Sequence, residues 1–358
     1  MTITEKIRQA PKVLLHDHLD GGLRPQTMIE VAAEIGHELP AQNATDLADW
    51  FYNECNSGSL VRYLEGFVHT TAVMQRPQDL ERVAREAVID LANDNVVYAE
   101  LRWAPEQHLA AGLTLAEAIE AVQRGIDGGI AESKAAGKPI VVGQLITAMR
   151  QGNSGTEISR LAVEYRDRGV FGFDIAGPED GFPPTLFQEA FDYLRDHNMH
   201  YTIHAGEAFG LPSIHQAVHC CIGRRLGHGV RLVDDIDLSD KSNPKLGRLS
   251  AYIRDERITL EVCPTSNVQT GAADSIATHP FDVFAKLDFR VTVNTDNRLM
   301  SGTSMSREME LLAEAFGYSI ADFEKFTLNA IKSAFVSLDE RKRLINEVIV
   351  PQYAGLKD

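Results

Sequence analysis

An α/β fold, a (β/α)8 TIM-type barrel with a helical insertion after strand one and extra C-terminal helices, is predicted by three features of this 358-residue chain. Eight short β-prone runs recur along it. Stretches with apolar residues at helical spacing and charges on the opposite face separate them. No linker, low-complexity tract or fixed-period repeat breaks the alternation, which points to a single domain over residues 1–358. Length alone would suggest two domains, but α/β barrels exceed the usual domain size as single units.

The first strand, VLLHDH at 13–18, leads out of an apolar run into His16, His18 and Asp20. A period of two puts these three on one face of a strand. The segment that follows, about 23–95, is long for a barrel crossover. It carries two amphipathic stretches, DLADWFYNEC and GSLVRYLEGF, that are expected to cover the mouth. The second strand is VVYAELRW (96–103), followed by the helical LTLAEAIEAVQRGIDGGIAESKAAG. The third and fourth, IVVGQLIT (140–147) and VFGFDIAG (170–177), flank the helical GTEISRLAVEYRDRG. Four more strands follow near HYTIHAGE (200–207), RLGHG (225–229), ITLEVCPTS (258–266) and FRVTVNTDN (289–297). The stretch SREMELLAEAFGYSIADFEKFTLNAIKSAF reads as two or three helices packed outside the barrel.

Composition narrows the function classes. With 35 basic against 51 acidic residues, the net charge is −16. Such a field repels nucleic acids and anionic membranes and fits a small neutral or cationic partner. The four cysteines form no C-x-x-C pair, so no disulfide framework or zinc ribbon is expected, and they read as buried thiols in a reducing compartment. The opening MTITEKIRQAPK has no apolar core, and no run approaches the roughly 18 apolar residues of a membrane span. A cytoplasmic protein is the expectation; oligomeric state is not readable.

Active sites of such barrels form at the C-terminal ends of the strands, and the polar residues of this chain gather there. His16 and His18 stand on strand one, Gly177 closes strand four, and His204 and Glu207 end strand five. His228 ends strand six, and Asp296 with Asn297 ends strand eight. Three imidazoles and one carboxylate make an N₃O set that suits zinc first, with iron, cobalt or nickel as options. H-x-H alone is unspecific; the coincidence across four strand ends carries the inference. In HAGE, Gly206 lets the backbone turn so that Glu207 can stand beside a metal without ligating it. A carboxyl in a dry pocket is pushed toward its neutral form, as a proton donor requires. The glycines of LGHG let His228 approach another group closely. HQAVH (215–219) resembles a zinc-protease helix, but Gln216 occupies the position of the glutamate base and cannot take a proton, so it reads as helix surface.

With HDHLDGG, FDIAGPE, HAGEAFG, RLGHGVRL, CPTSNVQTG and VNTDN in order, the chain resembles the adenosine deaminase family from about residue 10 to 335. That resemblance implies a barrel with one zinc per chain and hydrolytic deamination of adenosine, and of 2′-deoxyadenosine, to the inosine product and ammonia in purine salvage. It implies that His16, His18, His204 and Asp296 hold the zinc, Glu207 protonates the purine ring and His228 orients the water. His18 is also counted with the substrate-binding residues. Asp20 would hold a ribose hydroxyl, and the Gly177 backbone would meet the ring edge. Trp50, Phe51, Leu60, Tyr63, Leu64 and Phe67 are candidates for a hydrophobic lid. One position departs from the pattern: Asn297 stands where many relatives have a second aspartate. The family role there is a hydrogen bond to a purine ring nitrogen, which an asparagine NH₂ can donate directly.

Rival readings are an adenine or modified-purine-nucleoside deaminase of the same family, an amidohydrolase acting on another ring or ester, and a non-catalytic zinc-dependent purine-binding protein. Asp20 argues against free adenine, which has no sugar hydroxyl. The retention of every ligand and of the proton donor argues against a retired site. Nucleic-acid deaminases carry an H-x-E…P-C-x-x-C signature, which this chain lacks.

Overall fold

Eight parallel strands close into a barrel whose C-terminal rim carries the polar residues singled out above. The computed structural model describes residues 1–240 and 242–357. The barrel strands are β1 (Lys12–His18), β2 (Val96–Trp103), β3 (Val141–Met149), β4 (Val170–Ala176), β5 (Ile203–Ala205), β6 (Arg225–His228), β7 (Thr259–Val262) and β8 (Arg290–Val293). They pair in parallel as β1-β2-β3-β4 and β8-β7-β6-β5. Two bridges join these halves, Asp17 to Asp296 and Phe173 to Tyr201. Every connection thus returns over the outside, and all eight strand ends meet at one rim.

The buried apolar residues form one continuous cluster from Ile7 to Leu356. Local signals set the helices around it. Thr114 and Glu117 make a reciprocal capping box at the start of Leu115–Ala135, and Ser319 with Asp322 does the same for Ile320–Ser333. Proline opens Pro25–Ile35 and Pro77–Asn93, where its missing N–H costs nothing. Five helices lie between β1 and β2. The last, Pro77–Asn93, packs along Leu115–Ala135 in the barrel's own helix layer. The part that reaches over the mouth therefore ends before it, in Leu60–Glu65 and Phe67–Ala72. Beyond β8, Met305–Phe316 and Ile320–Ser333 are the two expected outer helices, and Leu338–Arg343 to Val350–Ala354 extend them.

Three local readings differ from the sequence expectation. Asp20 is not on the strand but in the short helical turn Leu19–Gly21, so it enters the cleft from a turn. CPTS does not continue β7, because Pro264 starts the helix Pro264–Gln269. A short antiparallel ladder, Ile236–Asp237 with Lys245–Leu246, sits between β6 and β7. HQAVH spans the end of one helix and a π-helical turn, with His215 and His219 exposed, as its surface reading requires. Cys55, Cys221 and Cys263 are buried, whereas Cys220 is exposed; all four are free thiols. Among the described residues no helix is long and apolar enough to cross a membrane.

The two long neighbouring helices touch at backbone distance. A Cβ at Gly125 would lie 2.2 Å from the Glu81 carbonyl oxygen, so any side chain there forces the helices apart. Gly125→Ala is expected to lower stability by about 1–3 kcal/mol, although alanine is the better helix former. Gly128→Ala, whose Cβ would meet only the Arg85 side chain at 3.6 Å, is expected to be neutral or stabilising. Thermal unfolding of the two variants checks the contrast.

Candidate metal centre and active site

The arrangement begins with carboxylates beneath the rim. On β7, Glu261 Oε2 lies 3.1 Å from His16 Nδ1. On β4, Asp174 Oδ2 lies 2.8 Å from His204 Nδ1. Glu261 claims the Nδ1 proton of His16 and leaves its Nε2 as a lone pair facing outward, whereas Asp174 meets His204 Nδ1 at ion-pair distance without a hydrogen bond of good geometry. Arg102 of β2 spans both, with Nη1 donating to Asp174 Oδ2 at 2.6 Å and Nη2 to Glu261 Oε2 at 2.7 Å. Arg225 donates to the other Glu261 oxygen at 2.6 Å. Burial alone would raise both carboxyls. Arg225 and Arg102 outweigh it at Glu261, and His204 and Arg102 outweigh it at Asp174, so both are held well below the usual carboxylate range.

Above them, one ligand atom each from His16, His18, His204 and Asp296 falls within 4.8 Å of the others. His16 Nε2 and His18 Nε2 are both 3.3 Å from Asp296 Oδ1, and His18 Nε2 is 3.3 Å from His204 Nε2. His16 Nε2 is buried with no hydrogen-bond partner. Several lone pairs converging on one point repel one another unless a cation lies between them. The donor set and its carboxylate backing therefore fit a metal ion. Ser266 donates to the other Asp296 oxygen at 2.5 Å and fixes that carboxylate's rotation. Asp296 and His228 both sit in the left-handed backbone region, at φ 59° and 62°, where few residues with a side chain are found outside constrained sites.

Glu207 stands beside this centre. Its Oε1 accepts from Thr270 at 2.9 Å, and its Oε2 is 3.4 Å from His228 Nε2. Burial pushes its pKa well up, and the negative charges of Asp296 and Glu179 push the same way. Burial, followed by the neighbouring His16, holds the His228 ring well below the usual imidazole value. Glu179 sets the loop: its two oxygens accept the backbone N–H groups of Gly206, Glu207, Ala208 and Phe209 at 2.6–3.0 Å. Gly206, at φ 80°, makes the expected turn.

The cleft over these groups holds about 760 Å³ of atom-free space, part of it open to solvent. Asp20, Gly177, His18, His204, Glu207, His228, Asp296 and Asn297 all line it. Asp20 Oδ1 is buried without a hydrogen-bond partner and so has capacity for a ligand; Asn297 Oδ1 is also unpartnered, but it faces Gly21, where a Cβ would lie 1.9 Å away. His108 Nε2 is 3.9 Å from Asp20 Oδ2, a neighbour that the sequence reading did not find. Gly177 has φ 101°, and a Cβ there would meet Gln151 Oε1 at 2.7 Å. Of the lid candidates, Leu60, Tyr63, Leu64 and Phe67 line the cleft. Trp50 and Phe51 do not; they pack edge to face on each other, and Trp50 also packs on His69.

Sequence reasoning reached the groups at the rim and missed those behind it: Arg102, Asp174, Glu179, Glu261, Ser266 and Asn267. A signal existed for three of them. Arg102, Asp174 and Glu261 are charges set inside mainly apolar strand runs, Arg102 beside a second one, Glu100, which is costly unless they are paired.

A family model described as "Adenosine deaminase" matches residues 11–351. The chain is similar to an adenosine deaminase of Mycobacterium avium (strain 104), 59% identical over 357 residues, which cover 98% of each chain. Among solved structures it is similar to an amidohydrolase from Burkholderia ambifaria solved with bound zinc, with 25% identity, TM-score 0.82 and coverage of 99% of this chain and 94% of that one. It is also similar to the N6-mAMP deaminase of Arabidopsis, with 28% identity, TM-score 0.80 and coverage of 95% and 98%.

Zinc added to metal-free protein at about 100 times its Kd is expected to stabilise the fold by roughly 2.7 kcal/mol, read as a rise in Tm. His18→Ala should remove most of that rise. An unchanged rise in the variant would exclude His18 as a ligand.

Proposed function

The chain belongs to the adenosine deaminase family; it is a hydrolase that deaminates adenosine, and we propose the following roles for its residues. His16, His18, His204 and Asp296 hold one zinc ion. The observation that carries this reading is the convergence of three imidazoles and one carboxylate within 4.8 Å. When bound there, zinc supplies Lewis acidity that lowers the pKa of water to about 7, so that a nucleophile exists at neutral pH.

The remaining work falls to side chains. Glu207, kept neutral by burial, gives its proton to the ring nitrogen next to the attacked carbon, so that the ring can accept electrons. His228 holds the attacking oxygen in line. The inosine ring keeps the Glu207 proton, and the two protons of water restore Glu207 and complete the departing ammonia. Asp20 accepts from a ribose hydroxyl, the Gly177 backbone meets the ring edge, and Asn297 donates to a further ring nitrogen. Leu60, Tyr63, Leu64 and Phe67 keep bulk water from the ring. The chain works as one catalytic domain, and we place it in the cytoplasm, in purine salvage.

Charge supports a nucleoside over a nucleotide. Among the described residues, the cleft lining includes no lysine or arginine. Arg24, close to Asp20 in sequence, is turned away onto Asp90. A phosphate charge about 4 Å from Asp20 would cost roughly 4 kcal/mol at an effective dielectric of 20. The nucleotide-type reading suggested by the Arabidopsis relative thus lacks its counter-charge here.

Glu207→Gln is expected to fold, retain zinc and lose at least about 10²-fold in kcat. Turnover near that of the wild type would remove Glu207 from the proposed role. Comparing kcat/KM for adenosine, 2′-deoxyadenosine, adenine and AMP tests the substrate: the two nucleosides should lead, and a preference for adenine or AMP would overturn the assignment.

A further inference from the structure

His228 shows its Nε2 side to the cleft, and its other ring nitrogen points into the protein. There Nδ1 lies 3.0 Å from Asn267 Nδ2, both groups buried. Asn267 belongs to the helix Pro264–Gln269 that follows β7, and its carboxamide cannot be turned over. The Cys263 backbone N–H, which can only donate, meets Asn267 Oδ1 at 3.2 Å. His279 Nε2 faces the same oxygen at 3.4 Å. The tautomer of His279 is itself determined, because the Phe281 backbone N–H donates to its Nδ1 at 3.0 Å. Burial pushes the His279 pKa down to about 3, so this neutral ring carries its single proton on Nε2, aimed at Asn267. With Oδ1 held by these donors, the group left facing His228 is an NH₂, which has no acceptor capacity.

We infer that Asn267, locked in orientation by the Cys263 N–H and by His279, is a positioning residue that sets His228 as the Nε2–H tautomer. Two backbone amides thereby impose one direction on a four-member chain. The Phe281 N–H donates to His279, His279 donates to Asn267, and Asn267 donates to His228. His228 then has an N–H left to offer to Glu207 Oε2, 3.4 Å away, and to the reacting oxygen. The opposite tautomer would set an N–H against an NH₂ at 3.0 Å. Resting on the reading under Proposed function, this makes His228 a hydrogen-bond donor that aligns the attacking oxygen. In that state it has no lone pair on the cleft side with which to abstract a proton.

Long-range ¹H–¹⁵N correlation on ¹⁵N-labelled, zinc-loaded protein reads the tautomer directly, with His228→Gln used only to assign the signals. The wild type is expected to show an unprotonated Nδ1 and a protonated Nε2 on His228. Asn267→Asp keeps the shape but only accepts, so it should invert that pattern. It should also lower kcat by roughly 10²-fold or more with little change in KM, as for other histidines held in the wrong tautomer. A protonated Nδ1 in the wild type, or an unchanged tautomer in Asn267→Asp, overturns the inference. The wild-type spectrum decides it even where the variant does not fold. Because the nitrogen signals need no substrate, they report on Asn267 whether or not adenosine proves to be the substrate.

Discussion

Glu261 and Asp174 lie under the cleft, each with a carboxylate oxygen against the Nδ1 of a histidine, and Arg102 joins them. The rest of the site depends on this contact. Without it, the rings of His16 and His204 could rotate or change tautomer, and their Nε2 atoms would not point at one place. The layer is unusual for a barrel interior, which branched apolar side chains ordinarily fill. A buried cluster of ion pairs is a weak source of stability, because desolvation offsets the attraction. What it supplies here is direction. Each charge has one satisfactory geometry, and that geometry aims the imidazoles outward.

Direction is also what the backbone contributes at the rim. His228, the last residue of its strand, and Asp296, three residues beyond β8, both take left-handed conformations. Glu207 depends on a different device, the four backbone N–H groups gathered by Glu179. That loop places the Glu207 carboxyl beside the polar centre. The two carboxyl environments are opposite in kind. Glu261 lies beside two guanidinium groups that hold its pKa down, whereas burial and the charges of Asp296 and Glu179 push that of Glu207 up.

Selectivity follows from the same economy of charge. The cleft combines an apolar cover with an unpartnered acceptor at Asp20, and its described lining includes no lysine or arginine. A sugar hydroxyl can satisfy that acceptor; a phosphate would meet repulsion from Asp20 and from the net charge of −16.

The amino-acid order by itself determined the barrel, the rim residues and the reaction class. Alternation and helical spacing are local properties, and ligand types at strand ends can be counted along a line. His16, His18, His204, Glu207, His228 and Asp296 were therefore visible before any coordinates. Asp174, Glu261 and Arg102 belong to that same line of text, yet the partners named for them lie 30 to 245 positions away, and Asn267 meets His228 39 positions away. Only closure of the barrel puts Glu261 behind His16 and Asn267 behind His228. Tautomer, ring orientation and protonation are set by contacts between distant segments, and spacing along a chain carries no record of them. The turn that holds Asp20 and the proline that diverts CPTS into a helix were legible in principle. The lid was not, because an apolar face at helical spacing looks the same whether it meets core or cleft, and only packing separated Phe51 from Phe67.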